Sequence, residues 1–151
     1  MKRKRKMKNK LLLLLALLPG LAWADCGAGA KTVFSCTTKT GKQVELCDAG
    51  KVIRYAFGKP GAPEIALSVA RQRASTGQWT GVGSPSYTVN VPNGDTVYTV
   101  FWGVDRNVET LPVEAGVHVY VKDKWLATVS CSGKKPIVQN IEDIQLPAEK
   151  I

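Results

Sequence analysis

From Thr32 onward, apolar and polar residues alternate with a period of two, and no stretch there carries a sustained helical period. Alternation of this kind marks strands with one buried face. Eight runs are predicted as strands: Thr32–Lys39, Gln43–Asp48, Val52–Phe57, Glu64–Val69, Ser86–Val91, Thr96–Gly103, Val117–Lys122 and Trp125–Cys131. Turn residues fall between them, at Thr40-Gly41, Asp48-Ala49-Gly50, Gly58 to Pro63, Pro92-Asn93-Gly94-Asp95 and Asp123. Mostly tight connections imply an antiparallel meander, which must close or fold on itself to protect its edges. The expected fold is therefore all-β, a small antiparallel eight-stranded barrel or sandwich.

The alternation also assigns faces. Val117, Val119 and Val121 point one way and His118, Tyr120 and Lys122 the other; Ile65, Leu67 and Val69 form a similar stripe, as do Tyr87, Val89 and Val91. Thr96–Gly103 is apolar on both faces, with Val97 and Phe101 on one and Tyr98, Val100 and Trp102 on the other. Its outer side is expected to be covered by a loop, the tail or a partner. Two connections are longer than a meander requires, Ala70–Pro85 and Val104–Gly116, and loops of that length are often functional. After Cys131, Ile137, Ile141 and Ile144 either line a short C-terminal helix before Pro147 or belong to a frayed end.

Charge changes the picture only once it is located. The 151 residues carry a formal net charge of +9, but seven of the 21 basic residues fall within the first ten positions. The apolar run Leu11–Leu18 follows, then Ala22-Trp23-Ala24, which together read as a secretory signal peptide cleaved after Ala24. Without it, 14 basic side chains face 12 acidic ones, and the nucleic-acid reading invited by the raw charge disappears. The chain thus divides into a signal peptide (1–24), a single β domain (25–133) and a C-terminal tail (134–151). The apolar run of the leader is too short to span a bilayer, and no later stretch is apolar enough to do so. An exported location, periplasmic or secreted, is expected. A lipid anchor would place a cysteine directly after the cleavage site, whereas Cys26 follows Asp25.

The four cysteines, Cys26, Cys36, Cys47 and Cys131, all lie in the exported part, and an even count suggests two disulfides with three possible connectivities. A two-residue turn at Gly41-Lys42 would set Cys36 opposite Cys47 and leave Cys26 for Cys131. Against this, Cys36 and Cys47 would then form a hydrogen-bonded pair, where Cα atoms lie farther apart. The pairing stays open. Zinc lacks the CxxC spacing it favours, and no metal or other cofactor is expected.

Catalytic signatures are sparse. His118, the single histidine, sits between valines within a strand and reads as a polar side chain on the solvent face. No Gly-x-Ser-x-Gly or Walker-type loop occurs, and the glycine-rich Gly77–Gly83 precedes a strand rather than a helix. The carboxylates Asp105, Glu109 and Glu114 share one loop, where a pair is conceivable for glycosidic chemistry. Arg71, Arg73 and Trp79 combine guanidinium groups with an aromatic ring, the composition of interface hot spots, and also suit carboxylate-bearing or sugar ligands. The structural alternative is that Trp79 plugs one end of the barrel.

Phe34-Ser35-Cys36, Gly41-Lys42, Cys47, Tyr55-x-Phe57-Gly58, Pro63-Glu64, Trp79-x-Gly81-x-Gly83 and Ala127-x-Val129-x-Cys131 together resemble a family of small exported bacterial β proteins. That resemblance implies secretion and a shared fold, and carries no activity or site. Ser84-Pro85-Ser86-Tyr87 is more distantly similar to the Ser-Gly-x-Tyr motif of the membrane-bound and periplasmic inhibitors of c-type lysozyme, whose motif loop inserts into the enzyme cleft. By that likeness Ser84 and Tyr87 would be the inserted residues, although Pro85 in place of glycine fixes φ and removes an N–H. Three functions follow: a non-enzymatic binding module for a protein or glycan of the cell envelope, with Arg71, Arg73, Trp79, Ser84 and Tyr87 as its surface; a lysozyme inhibitor; and a glycan-acting hydrolase using Asp105 and Glu109.

Overall fold

A computed structural model describes residues 26–150, so the proposed leader lies outside the described residues. The described residues are all-β, with ten strands in two antiparallel sheets of five. The first sheet holds β1 (Lys31–Thr37), β2 (Gln43–Asp48), β3 (Val52–Lys59), β4 (Ala62–Ala70) and β10 (Val138–Gln139), in the order β10-β1-β2-β3-β4. The second holds β5 (Ser75–Trp79), β6 (Ser86–Asn93), β7 (Thr96–Val104), β8 (Val113–Val121) and β9 (Lys124–Ser130), in chain order. The meander is therefore real, and it folds into a sandwich rather than a closed barrel. At one side a 3-10 turn at Arg71–Arg73 carries the chain from β4 to β5 in the other sheet. At the opposite side the sheets touch through the isolated bridge Thr38↔Cys131.

Two strands exceed the expected eight. β5 occupies the middle of the presumed loop Ala70–Pro85; its inward positions are Thr76 and Gln78, so it shows no apolar alternation. The polar groups are satisfied by partners distant in sequence: Thr76 Oγ1 donates to Thr88 O at 2.8 Å, and Gln78 Nε2 donates to Ile141 O at 3.0 Å. The second addition, β10, pairs with only two residues of β1.

Between the sheets, Phe34, Leu46 and Ile53 of the first meet Val89, Val100 and Val117 of the second, all fully buried. Tyr55 stacks on Tyr98 with ring centroids 5.1 Å apart, and Tyr87 on Trp102 at 5.7 Å. The doubly apolar β7 is thus explained: Tyr98, Val100 and Trp102 face the core, while Phe101 faces outward beneath His118.

The disulfides are Cys26–Cys47 and Cys36–Cys131, which corrects the pairing favoured by hairpin geometry. The turn is one residue longer than the Gly41-Lys42 reading: Thr38 N donates to Lys42 O at 2.7 Å around Lys39-Thr40-Gly41, with Gly41 at φ 82°. The register moves with it, so Cys36 lies opposite Val44 and Cys47 opposite Thr32. Cys36 belongs to the inner cluster beside Cys131, whereas Cys47 leaves the other face of β2 toward Cys26. Two such bonds suit an oxidising compartment.

The described residues of the tail form no α-helix. A single 3-10 turn at Ile141–Asp143 buries Ile141 and Ile144 against the core, and the backbone on either side is extended because two strands recruit it. Before the turn, β10 pairs with β1. After it, Thr76 N donates to Pro147 O at 2.9 Å and Glu149 N to Thr76 O at 3.0 Å, laying Ala148 parallel to β5. Among the described residues no helix is long and apolar enough to cross a membrane.

Candidate functional site

Residues paired across a sheet share a face. Register in the second sheet therefore places its outward side chains in rows. One row runs Trp79, Ser86, Gly103, Glu114, and the next Gly77, Thr88, Phe101, Gly116. A third runs Ser75, Asn90, Thr99, His118 and on to Thr128. The first two rows are poor in bulk, and the surface is concave there. A depression of about 460 Å³ is lined by Ser84, Thr88, Phe101, Asp105, Glu114 and His118 among others. A second, of about 300 Å³, lies between Trp79 and Glu149. Ser86 and Thr88 line both, so the two form one trough across the sheet.

Aromatic rings and polar groups alternate along it. The imidazole of His118 stacks on Phe101 with centroids 4.0 Å apart and planes 5° from parallel. Its Nδ1 bonds to Thr128 Oγ1 at 2.8 Å, which also accepts from Trp125 Nε1 at 3.1 Å. Burial under these neighbours lowers the His118 pKa below the usual histidine value, so the ring is half-buried rather than simply solvated. Trp79, 57% exposed, lies over Gly81 at the far end.

The floor is a hydrogen-bonded network. Thr99 Oγ1 donates to Asn90 Oδ1 at 2.6 Å, and Asn90 Nδ2 donates to Ser75 Oγ at 3.2 Å and to Glu149 Oε2 at 3.0 Å. Thr88 Oγ1 donates to the same Glu149 oxygen at 3.2 Å. Glu149 thereby lies above Gly77, where any Cβ would collide with its Oε1. On the opposite wall Asp105 organises its loop: it accepts from Asn107 N at 2.9 Å and from Ser84 Oγ at 3.4 Å.

Of the five residues expected to form a binding surface, Trp79 and Ser84 border this trough, and Arg71, Arg73 and Tyr87 lie elsewhere. Arg71 is a structural clamp: Nη1 meets Asp48 Oδ1 at 2.6 Å and Gly50 O at 3.0 Å, and Nε donates to Gln145 O at 2.9 Å, tying β2, its turn and the tail together. Its hydrogen bond holds the Asp48 carboxyl below the ordinary range. Arg73 is exposed on the 3-10 turn. Tyr87 points into the sandwich, where burial raises its pKa, assisted by the hydrogen bond it donates to Glu142. Ser84 and Tyr87 therefore do not project together, as the inhibitor motif would require of an inserted loop. Trp79 does not plug the core, since its ring is at the surface.

Glu109 is exposed on the β7–β8 loop, while Asp105 and Glu114 share the trough. Ser84, His118 and Asp105 share it too, but the Ser84 hydroxyl is engaged by Asp105 and the His118 Nδ1 by Thr128. Cys26, Glu45 and Cys47 have metal-like spacing, yet both sulfurs are spent in a disulfide and offer no thiolate. Thr88, Asn90 and Glu149 carry no signal of their own in the sequence, and Phe101 shows only as part of a doubly apolar strand. The available signal was the outward polar series Ser86-Thr88-Asn90 beside an outward Phe101.

The fold and site together define a small disulfide-bonded β-sandwich with an open trough on the outer face of one sheet. Comparison with known proteins finds no matching family, no similar curated protein and no similar solved structure.

Proposed function

We propose that this protein is an exported, non-enzymatic binding module that takes a saccharide chain of the cell envelope in the trough of the second sheet. The supporting observation is the lining itself. Aromatic surfaces at Trp79 and Phe101 with His118 suit the apolar C–H faces of sugar rings. Hydroxyl, amide and carboxylate groups between them match sugar hydroxyls, which both donate and accept. The trough is open and shallow, as an extended chain requires.

An array of immobilised neutral and amino oligosaccharides, probed with the purified protein, tests this. Retention of at least one class is expected, with loss on Trp79→Ala and on Phe101→Ala while the near-ultraviolet circular dichroism stays native. An empty array would refute the reading. A hydrolase is a second reading with one observation in its favour, the shared trough of Asp105 and Glu114. Release of reducing ends from a retained oligosaccharide, abolished by Glu114→Gln, would establish it; an unchanged ligand after prolonged incubation would end it.

A further inference from the structure

We infer that the trough selects saccharides bearing free amines over neutral or acidic ones; this rests on the saccharide reading above. Three carboxylates line the concavity, Asp105 and Glu114 on one wall and Glu149 on the other, and among the described residues no Lys or Arg side chain lines it. The flanking cations are Arg106, whose backbone N–H donates to Ser84 Oγ at 3.3 Å, and Lys150. Among the described residues the ion pairs are Lys42–Glu64, Arg71–Asp48 and Lys122–Asp95, so none of the three trough carboxylates is neutralised by a salt bridge.

Glu149 also has a defined seat. Thr88 and Asn90 both donate to Oε2, which leaves Oε1 over Gly77 at the trough surface. The tail positions this seat through the Ala148 bridge to Thr76, so the charge is held in place rather than trailing in solvent. Unpaired like charges around a concave surface reinforce one another's potential, and a ligand ammonium relieves it. A peptide is a poorer fit: most of the trough floor lies across β6, β7 and β8, internal strands whose backbone groups are spent in the sheet, and the edge strand β5 is already bridged to the tail at Thr76.

The test is calorimetric titration at low ionic strength and pH 6 with four probes: a glucosamine hexamer, its fully N-acetylated counterpart, a galacturonic acid hexamer and hexalysine. The glucosamine hexamer is expected to bind tightest and the galacturonic acid hexamer weakest. Glu114→Gln and Glu149→Gln are each expected to weaken the glucosamine hexamer about two- to fivefold, the range for exposed ion pairs, and to weaken the N-acetylated hexamer by a smaller factor. Equal or tighter binding of the N-acetylated hexamer overturns the charge selection while leaving the saccharide reading intact. Hexalysine binding as tightly as the glucosamine hexamer overturns it in favour of a basic peptide. Failure of every sugar to bind removes both readings.

Discussion

Replacing Cys36 and Cys131 together by alanine removes the covalent tie between β1 in the first sheet and the end of β9 in the second. The two residues are 95 positions apart, so their bond closes most of the domain into one loop. In the chain-entropy picture, restricting the unfolded chain in this way stabilises the fold by about 4.7 kcal/mol. The same relation gives about 3.4 kcal/mol for Cys26–Cys47, which are 21 positions apart. All four side chains are buried, so the packing lost on truncation is similar for the two pairs and the difference in loop length decides the order. Urea unfolding of the two double variants reads it out. A gap of about 1.3 kcal/mol corresponds to roughly 0.4–1.3 M in midpoint for a domain of this size. The Cys36/Cys131 variant is expected to unfold first, and peptide mapping of the parent protein should recover Cys26 linked to Cys47. A Cys26/Cys47 variant that is equally or more destabilised would refute the entropic ranking.

Arg71→Met is expected to cost about 1–3 kcal/mol at neutral pH, since it breaks charge-assisted bonds to Asp48 and to two carbonyls. Because Asp48 is depressed in the folded state, its contribution is complete above the unfolded carboxylate value of about 3.9 and is lost as pH falls through the lower folded value. The variant should therefore show a shallower acid limb in a pH series of urea midpoints. Ile141→Ala, at a fully buried position of the tail, should cost about 2–5 kcal/mol in the same assay, and a cost near zero would mean the tail is not part of the core. Thr99→Val leaves Asn90 Oδ1 without its donor and should cost about 1–3 kcal/mol despite its similar shape. For His118, proton NMR titration should give a midpoint below the ordinary value of about 6.5, and Phe101→Ala, which uncovers the ring, should move it back up. With the folded value lowered, the His118 contribution to stability is lost as pH falls from the ordinary value toward the folded one.

The strands that alternate strongly, such as β6 with Tyr87, Val89 and Val91 inward, were legible because one buried face imposes period two on the sequence. β5 was not, because its inward Thr76 and Gln78 are satisfied by hydrogen bonds to distant residues that a local pattern does not reveal. The disulfides failed for a related reason. The turn is Lys39-Thr40-Gly41, longer and centred earlier than Gly41-Lys42, so the partner of Cys36 moves from Cys47 to Val44, and only the register shows that Cys36 and Cys47 leave opposite faces of the sheet. Arg71 illustrates a limit of composition: an arginine beside a long connection reads as a binding group until its three partners are seen. The trough escaped for the same cause as the disulfides, since its wall and floor residues are neighbours only across strands.

That cross-strand origin also accounts for the glycines beneath it. Glycine inside a strand weakens it by lost packing and added unfolded-state entropy, so three of them in adjoining rows need a reason. Each has one in a close approach. A Cβ on Gly77 would strike the Glu149 carboxylate, one on Gly116 would strike Val129 O, and one on Gly103 would come within 3.3 Å of Pro85 O. The concavity follows from these contacts, two with backbone and one with the strapped tail, and does not depend on side chains turning aside. A surface hollowed in this way exists before any ligand arrives. Binding there incurs little ordering cost in the floor itself, and affinity should depend chiefly on the Trp79, Phe101, Glu114 and Glu149 side chains at its walls.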